Sequence, residues 1–299
     1  MNQEKIGILY GVSAYVMWGI LPLYWKLIET IPPWEILAHR VLWSFVFMLF
    51  VVLIIRRWHI FIQELKNLLK HKKAFIGITV ASIIISLNWG TYIWAVNTDR
   101  VLDASLGYYI NPLISILFGY IFLKERFSKN QWVAIGLAFL GVIYLTVESG
   151  VFPWAALFLA VTFALYGLIK KIVNLNAVNG LAIETLIVAP IALIYICYLT
   201  WQGDSSFSLS FDGLILFGAG AVTAIPLLLF AQGALRIPLS LIGFLQYIAP
   251  TLMLLFGVFL FNEPFTSAHV VTFILIWTGL ILYSFERVKL LRHNQGENK

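Results

Sequence analysis

The chain has 299 residues, of which 61% are apolar and only 11% are charged, and its formal net charge is +6. A soluble domain carries roughly a quarter of charged residues, so this composition excludes a water-soluble globular protein. One membrane span takes about 20 apolar residues, and the length therefore accommodates roughly ten spans with short loops. The basic residues form short clusters between apolar runs instead of one charged surface, so we predict a lipid bilayer and no nucleic acid as partner.

Ten apolar runs, separated by charged residues or by Gly, Pro and Asn, predict ten transmembrane helices. In chain order they lie near residues 6–27, 34–55, 74–97, 103–123, 130–147, 152–170, 179–200, 211–235, 239–261 and 266–285. The first run leads into further spans without a small-residue cleavage site, so we expect a retained helix and not a signal peptide. Between the second and third runs, Trp58 to Leu69 form a partly amphipathic segment, either a surface helix or an ordinary cytoplasmic loop.

The loops alternate in positive charge. If the N-terminus is cytoplasmic, 17 of the 20 basic residues fall on the cytoplasmic side, and the exterior side keeps Lys26, Arg40 and Arg100. Cytoplasmic loops of membrane proteins carry an excess of Lys and Arg, so the bias predicts an even number of spans with both termini cytoplasmic.

An internal repeat organises the spans. A shift of 138 places Tyr109-Ile110-Asn111-Pro112 on Tyr247-Ile248-Ala249-Pro250, and the same register places Glu125 on Glu263 and Gly141 on Gly279. Each half then has five spans, an odd number, so the second half enters the membrane in the opposite orientation. We predict an all-α polytopic fold of two inverted five-helix repeats, residues 1–148 and 149–299, around a central cavity.

Several motifs resemble the EamA-type transporters of the drug/metabolite transporter superfamily, and within it the RarD (chloramphenicol-sensitive) branch. They are Pro22-Leu23-Tyr24-Trp25-Lys26, His39-Arg40, Asn88-Trp89 and Ser105-Leu106-Gly107-Tyr108-Tyr109-Ile110-Asn111-Pro112 in the first half, and Thr223-Ala224-Ile225-Pro226, Gln246-Tyr247-Ile248-Ala249-Pro250-Thr251 and Asn262-Glu263-Pro264-Phe265 in the second. The resemblance covers nearly the whole chain. It implies a ten-helix transporter in a bacterial cytoplasmic membrane that exports or exchanges small organic molecules.

Polar and aromatic residues inside the spans are the candidate substrate-binding residues, because polar groups are costly in hydrocarbon. Spans four and nine carry them beside Pro112 and Pro250, and paired helix distortions in two halves indicate a midplane site. The alternative is that these side chains only hold helices together. The predicted set is Trp18, Asn88, Trp89, Tyr92, Tyr108, Asn111, Tyr166, Gln246 and Tyr247.

Proton coupling requires an ionisable group within the membrane. Glu184 is the one acid well inside a predicted span, and His39 and Arg40 lie a turn or so into the second span. Contact between Glu184 and His39 or Arg40 would stabilise these charges, and protonation of Glu184 would then shift the conformational equilibrium. A structural ion pair is the alternative reading. Glu125 and Glu263, at span ends, are predicted to be helix-terminus or loop-packing groups.

Other function classes find little support in the sequence. The five histidines are scattered, no carboxylate pair or nucleophile motif occurs, and Cys197 is the only cysteine. We therefore predict no catalytic residues, no metal and no cofactor. A passive facilitator or an exchanger without proton coupling stays open, and a membrane enzyme is a weaker alternative.

Overall fold

The computed structural model describes residues 3–97, 101–150, 154–260 and 266–296, and the regular elements within these ranges are helices. Twelve helices follow one another: α1 Gln3–Lys26, α2 Pro33–Ile54, α3 Trp58–Lys70, α4 Lys72–Asn97, α5 Val101–Leu123, α6 Lys129–Ser149, α7 Trp154–Val173, α8 Ala177–Gln202, α9 Phe211–Ala234, α10 Leu239–Gln246, α11 Ile248–Leu260 and α12 Ser267–Gly296.

These helices provide the ten predicted spans. In the described ranges, nine are long and apolar enough to cross a membrane, with Leu239–Leu260 counted as one span made of α10 and α11. A further, shorter apolar helix, Gly107–Leu123, is the described part of span four within α5. The predicted ten-helix, all-α polytopic fold is confirmed, and its bounds lie close to the ends of the apolar runs.

The segment between spans two and three is a surface helix. α3 buries Phe61 and Leu68 and leaves most of its other side chains exposed or half-buried. The Glu64 carboxylate accepts a hydrogen bond from Asn179 Nδ2 at 2.8 Å, which ties α3 to the beginning of α8. Of the two readings of this segment, the amphipathic helix is therefore correct.

The packing of the spans has the pattern of an internal twofold relation. Span four packs on span nine, span five on span ten and span two on span seven. Each of these pairs maps onto itself when the first half is exchanged with the second. Span one packs on eight and span three on six, which are counterparts of each other. Inverted repeats give this pattern; the division between residues 148 and 149 stays a prediction.

The two proline-containing spans differ in form. Span nine is broken, because α10 ends at Gln246 and α11 begins at Ile248, two residues before Pro250. α5 is one continuous helix through Pro112. Of the two helix distortions expected at the prolines, only the one in span nine is a break. A Cβ on Gly243 would lie 2.7 Å from the Pro112 carbonyl oxygen, so glycine at this position permits the close approach of α5 and α10.

We predict that Gly279→Ala destabilises the bundle. An added Cβ at Gly279 would lie 2.7 Å from the carbonyl oxygen of Ala134, whereas a Cβ at Gly136 meets nothing within 4 Å. Overpacking of this kind costs about 1–3 kcal/mol. The melting temperature in detergent should fall for Gly279→Ala and stay unchanged for the control Gly136→Ala. Equal melting temperatures would contradict this account of how spans five and ten pack.

Candidate solute-binding cavity

A cavity lies between the two halves and contains about 920 Å³ of empty space, its open mouth included. It is lined by the later parts of α1 and α4 and by the earlier parts of α2, α5 and α7, with α10 and α11 completing the wall. These parts are distant from the end of the bundle where α2, α5, α7 and α9 end and α3 lies. We call this end the basic face, because it carries Arg56, Arg57, Lys124 and Arg236. The cavity therefore opens away from the basic face.

Seven of the nine predicted substrate-binding residues line this cavity. They are Trp18, Asn88, Trp89, Tyr92, Tyr108, Asn111 and Gln246. Tyr166 and Tyr247 do not, and both are fully buried, with 0% of their surface exposed. Tyr166 stacks on Phe230 with ring centroids 5.9 Å apart, and Tyr247 contacts Phe244. Neither lines the cavity as predicted, because packing buries both side chains in what we call its floor, and their role in solute binding stays a prediction.

The aromatic wall includes side chains that the sequence analysis did not select. Trp18 contacts Tyr15 at 5.3 Å and Phe163 at 5.7 Å between ring centroids. Tyr15, Trp18, Pro22 and Trp25 all line the cavity, and their spacing of three and four residues places them on one face of α1. That helical spacing is the signal in the sequence that identifies this wall.

Amide groups connect the helices around the cavity. Gln246 Nε2 donates to Ser115 Oγ at 3.3 Å, and Ser115 Oγ donates to Asn111 Oδ1 at 3.4 Å, which links α10 to α5. Gln246 Oε1 is buried, and the nearby Tyr15 hydroxyl brings a further polar group from α1 to this amide.

Asn88 has a second role besides lining the cavity. Its Nδ2 donates to the Leu159 carbonyl and to Thr162 Oγ1, both at 2.8 Å, and thereby joins α4 to α7. The amide nitrogen of Asn88 therefore holds two helices together, as the helix-packing alternative predicts.

Arg40 reaches the cavity from α2. Its guanidinium carbon lies over the ring of Trp25 at 4.6 Å and over the ring of Trp89 at 4.8 Å. Its Nε donates to Thr223 Oγ1 of α9 at 3.2 Å. Arg40 is thus held by residues from both halves.

The predicted contact between Glu184 and His39 or Arg40 was wrong. Glu184, 3% exposed, accepts a hydrogen bond from Lys170 Nζ at 2.6 Å and from the Tyr166 hydroxyl at 3.0 Å. The ion pair therefore joins two helices of the second half. Its partner Lys170 was assigned to a cytoplasmic loop, but the last turn of α7 carries it inward, where 8% of its surface is exposed.

His39 belongs instead to a cluster that fixes the loop before α9. The Glu35 carboxylate accepts hydrogen bonds from the Ser206 amide at 2.7 Å and from the Ser206 hydroxyl at 2.8 Å. His39 accepts a hydrogen bond from Trp43 at 3.1 Å and stacks on Phe207 with ring centroids 5.0 Å apart. These contacts attach the loop to α2 on the side of the bundle opposite the basic face.

The basic face is closed. Glu125, just after α5, accepts hydrogen bonds from the Leu239 amide at 2.6 Å and the Ser240 amide at 3.1 Å, and so caps α10. Lys171 Nζ donates to the carbonyls of Ala234 and Ile237 at 2.9 and 2.5 Å, which joins the end of α7 to the segment before α10. The predicted helix-terminus role of Glu125 fits this cap; Glu263 lies outside the described residues.

A larger apolar depression lies on the outer surface between α2, α4, α7 and α8. Exposed apolar side chains such as Ile83, Leu87 and Ile191 line it, so we interpret it as a lipid-facing groove. In the described ranges no group of three or more His, Cys, Asp or Glu side chains is placed to hold a metal ion.

A ten-span helical bundle with a cavity between its halves, closed at one end and open at the other, has the architecture of a membrane transporter. Comparison with known proteins supports this class. The profile of the EamA-like transporter family matches residues 5–147. A solved crystal structure with 18% sequence identity has the same fold, with a TM-score of 0.69 over 93% of this chain and 97% of that one.

Relatives extend the match to the full length. The chain is 48% identical to the uncharacterized transporter YojE of Bacillus subtilis, over 98% of both chains. It is 42% identical to protein RarD of Escherichia coli, over 96% of both chains, and 28% identical to the chloramphenicol-sensitive protein RarD of Pseudomonas aeruginosa, over 98% of both. The protein is a membrane transporter of the EamA-like family and belongs to its RarD branch.

We predict that Lys170→Met and Glu184→Gln each destabilise the protein, whereas the double variant does not. Removing one partner of a buried ion pair costs about 3–5 kcal/mol because the other charge is left uncompensated, and removing both avoids this penalty. Thermal unfolding in detergent measures the three variants against the wild type. Additive losses in the double variant would contradict the pairing.

Proposed function

We propose that this protein exports a small organic solute across the bacterial cytoplasmic membrane by alternating access. The observation that carries the proposal is a central cavity that contacts both halves and is closed at the basic face by hydrogen bonds between helix ends. These hydrogen bonds are few and local, so a conformational change that opens the basic face has to break only a small number of contacts. Export is the direction that the family resemblance implies.

The orientation follows from the positive charge. The basic face carries Arg56, Arg57, Lys124 and Arg236, and an excess of Lys and Arg marks cytoplasmic loops. With this face inside, both termini are cytoplasmic and the cavity opens outward. The structure then corresponds to the state that releases an exported solute.

The cavity wall supports a solute with an aromatic or amphipathic body. Trp18, Trp25, Trp89 and Phe163 offer apolar faces, while the amides of Asn111 and Gln246 offer a few hydrogen-bonding groups. Sites for small organic ligands combine a mostly apolar wall with a few fixed polar groups in this way.

A passive facilitator or an exchanger is the second candidate. Among the described residues that line the cavity there is no carboxylate, and Glu184 is engaged by Lys170 and Tyr166 in the floor. Protonation of Glu184 would break this ion pair and leave the buried Lys170 without its partner, so the geometry favours transport without proton coupling.

Reconstitution into proteoliposomes tests both candidates. We expect counterflow of at least one organic solute from a metabolite mixture, and gradient-independent uptake if the facilitator reading is correct. Uptake driven by an imposed pH gradient would support coupling, and the Lys170→Met/Glu184→Gln double variant would then lose the gradient response while keeping counterflow. Absence of counterflow for every solute would contradict the transporter proposal.

We predict that Asn111→Ala and Gln246→Ala reduce transport. Each change removes a polar group of the cavity, and a lost hydrogen bond of about 1 kcal/mol lowers solute affinity roughly fivefold. The apparent affinity in counterflow measures the effect, and melting temperature checks folding. The matched control is Asn67→Ala, an exposed amide on α3. Unchanged affinity in both cavity variants would remove the assignment of these residues.

We also predict that Glu125→Gln favours opening at the basic face. The change removes the charge that caps α10, and such caps contribute about 0.5–2 kcal/mol, which corresponds to roughly a 2- to 30-fold change in population. The measurement is the labelling rate of Leu245→Cys by a membrane-impermeant thiol reagent applied from the basic side, in a Cys197→Ser background. Leu245 is buried, at 8% exposure, beneath this closure.

Glu64→Gln is the control for the gate, because Glu64 lies on the same face and contacts Asn179 of α8 instead of α10. It should leave the labelling rate of residue 245 unchanged. A rate in Glu125→Gln equal to that of the control would show that the cap does not hold the basic face closed.

A further inference from the structure

The charge of the cavity is unbalanced. Of the described residues that line it, Arg40 is the only one with a formal charge. Ionisable side chains inside a membrane protein are costly and normally pair with an opposite charge. Among the described residues Arg40 makes no ion pair, so its partner is not part of the described wall.

The groups around Arg40 stabilise the cation without neutralising it. The two indole rings of Trp25 and Trp89, at 4.6 and 4.8 Å, attract a cation through their faces but carry no charge. Thr223 Oγ1 accepts from Nε and occupies one of the five guanidinium donors. The described structure shows no acceptor for the terminal N–H groups, which form the planar fork that binds carboxylate or phosphate.

The nearest acid along α2 does not supply the missing charge. Glu35 is buried, at 1% exposure, and its two oxygens accept hydrogen bonds from Ser205 and Ser206, with His39 at 3.9 Å. It is therefore committed to the loop before α9. Glu184 is committed to Lys170 in the floor.

Two tyrosines and two tryptophans line the cavity together with Arg40. Tyr92 and Tyr108, whose ring centroids are 5.8 Å apart, line the same cavity and lie close enough to Arg40 to interact with it electrostatically. Their hydroxyls are hydrogen-bond donors of the kind that supplement a guanidinium around an anion. The indoles of Trp25 and Trp89 continue this surface with flat apolar faces.

We propose that Arg40 is an anion-binding subsite and that the solute is an organic anion with a flat apolar body. Its carboxylate or phosphate group pairs with the terminal N–H groups of Arg40, and its ring packs against the neighbouring tryptophans. The inference rests on the proposed function, because it identifies the class of solute that the same cavity carries. Since Arg40 is attached to α9 through Thr223, the bound anion contacts a residue that joins both halves.

A pair of matched ligands tests the charge preference. Naphthaleneacetate and naphthaleneacetamide have the same ring and nearly the same shape but differ in charge, and isothermal titration calorimetry on the purified protein measures both affinities. We expect the acid to bind about tenfold or more tightly than the amide, as for hydrogen bonds to charged groups. Arg40→Gln should abolish this preference, so that the acid and the amide bind with equal affinity, and retained binding of the amide shows that the cavity is intact.

Two further variants keep the test decisive. Arg40→Lys retains the charge but not the planar fork, so the acid should lose affinity severalfold while still binding more tightly than the amide. Arg57→Gln removes an exposed arginine at the basic face and should change neither affinity. If Arg40→Gln does not fold, the graded loss in Arg40→Lys carries the test.

Three results would overturn the anion subsite. They are equal affinities in the wild type, an acid preference that survives in Arg40→Gln, and binding of neither ligand. Counterflow of a neutral solute together with any of these results would leave the transporter proposal standing. Absence of all counterflow, with acid-selective binding retained, would instead overturn the transporter proposal and leave the subsite.

Discussion

The inability of lipid hydrocarbon to form hydrogen bonds determines the rest of this structure. Backbone groups must be satisfied within each span, so the chain is helical, and polar side chains must turn inward to find partners. Ser44 donates to the Gly220 carbonyl and Thr272 to the Gly141 carbonyl, so even hydroxyls serve to join helices. Polar groups that do not join helices in this way line the space between the two halves, and this space is the cavity.

The two ends of the bundle differ in how completely they are joined. At the basic face, Glu125 connects helix ends from both halves, Lys171 joins two helix ends of the second half, and Gly7 lies close enough to Ile237 for an added Cβ to meet it at 2.6 Å. At the opposite end, Tyr24 donates to the Ile215 carbonyl at 2.6 Å and Glu35 fixes the loop before α9, but the cavity stays open between these contacts. The asymmetry of the bonds gives an otherwise symmetric bundle one open side.

Much of the fold was predictable because span length, charge alternation and repeat register each constrain it independently. The site was predictable in part. Trp89, Asn111 and Gln246 line the cavity as expected because polar and large aromatic groups inside apolar spans turn toward the interior of the bundle. Tyr166 and the partner of Glu184 were not predictable, because the facing direction of a side chain depends on helix rotation, which an all-round apolar helix does not encode. Lys170 shows the same limit, since its position near a span end does not reveal that it points inward.

The inversion of the halves also restricts how their loops diverge. The segment after span four reads Lys124-Glu125-Arg126-Phe127-Ser128, and the repeat register aligns it with Asn262-Glu263-Pro264-Phe265-Thr266 after span nine. The acid, the phenylalanine and the hydroxyl residue recur, but both basic residues are replaced. In an inverted repeat the two copies are expected on opposite sides of the membrane, so the rule that places positive charge on the cytoplasmic side favours basic residues in one copy and disfavours them in the other. Matching segments of the two halves can therefore share packing residues while differing in charge.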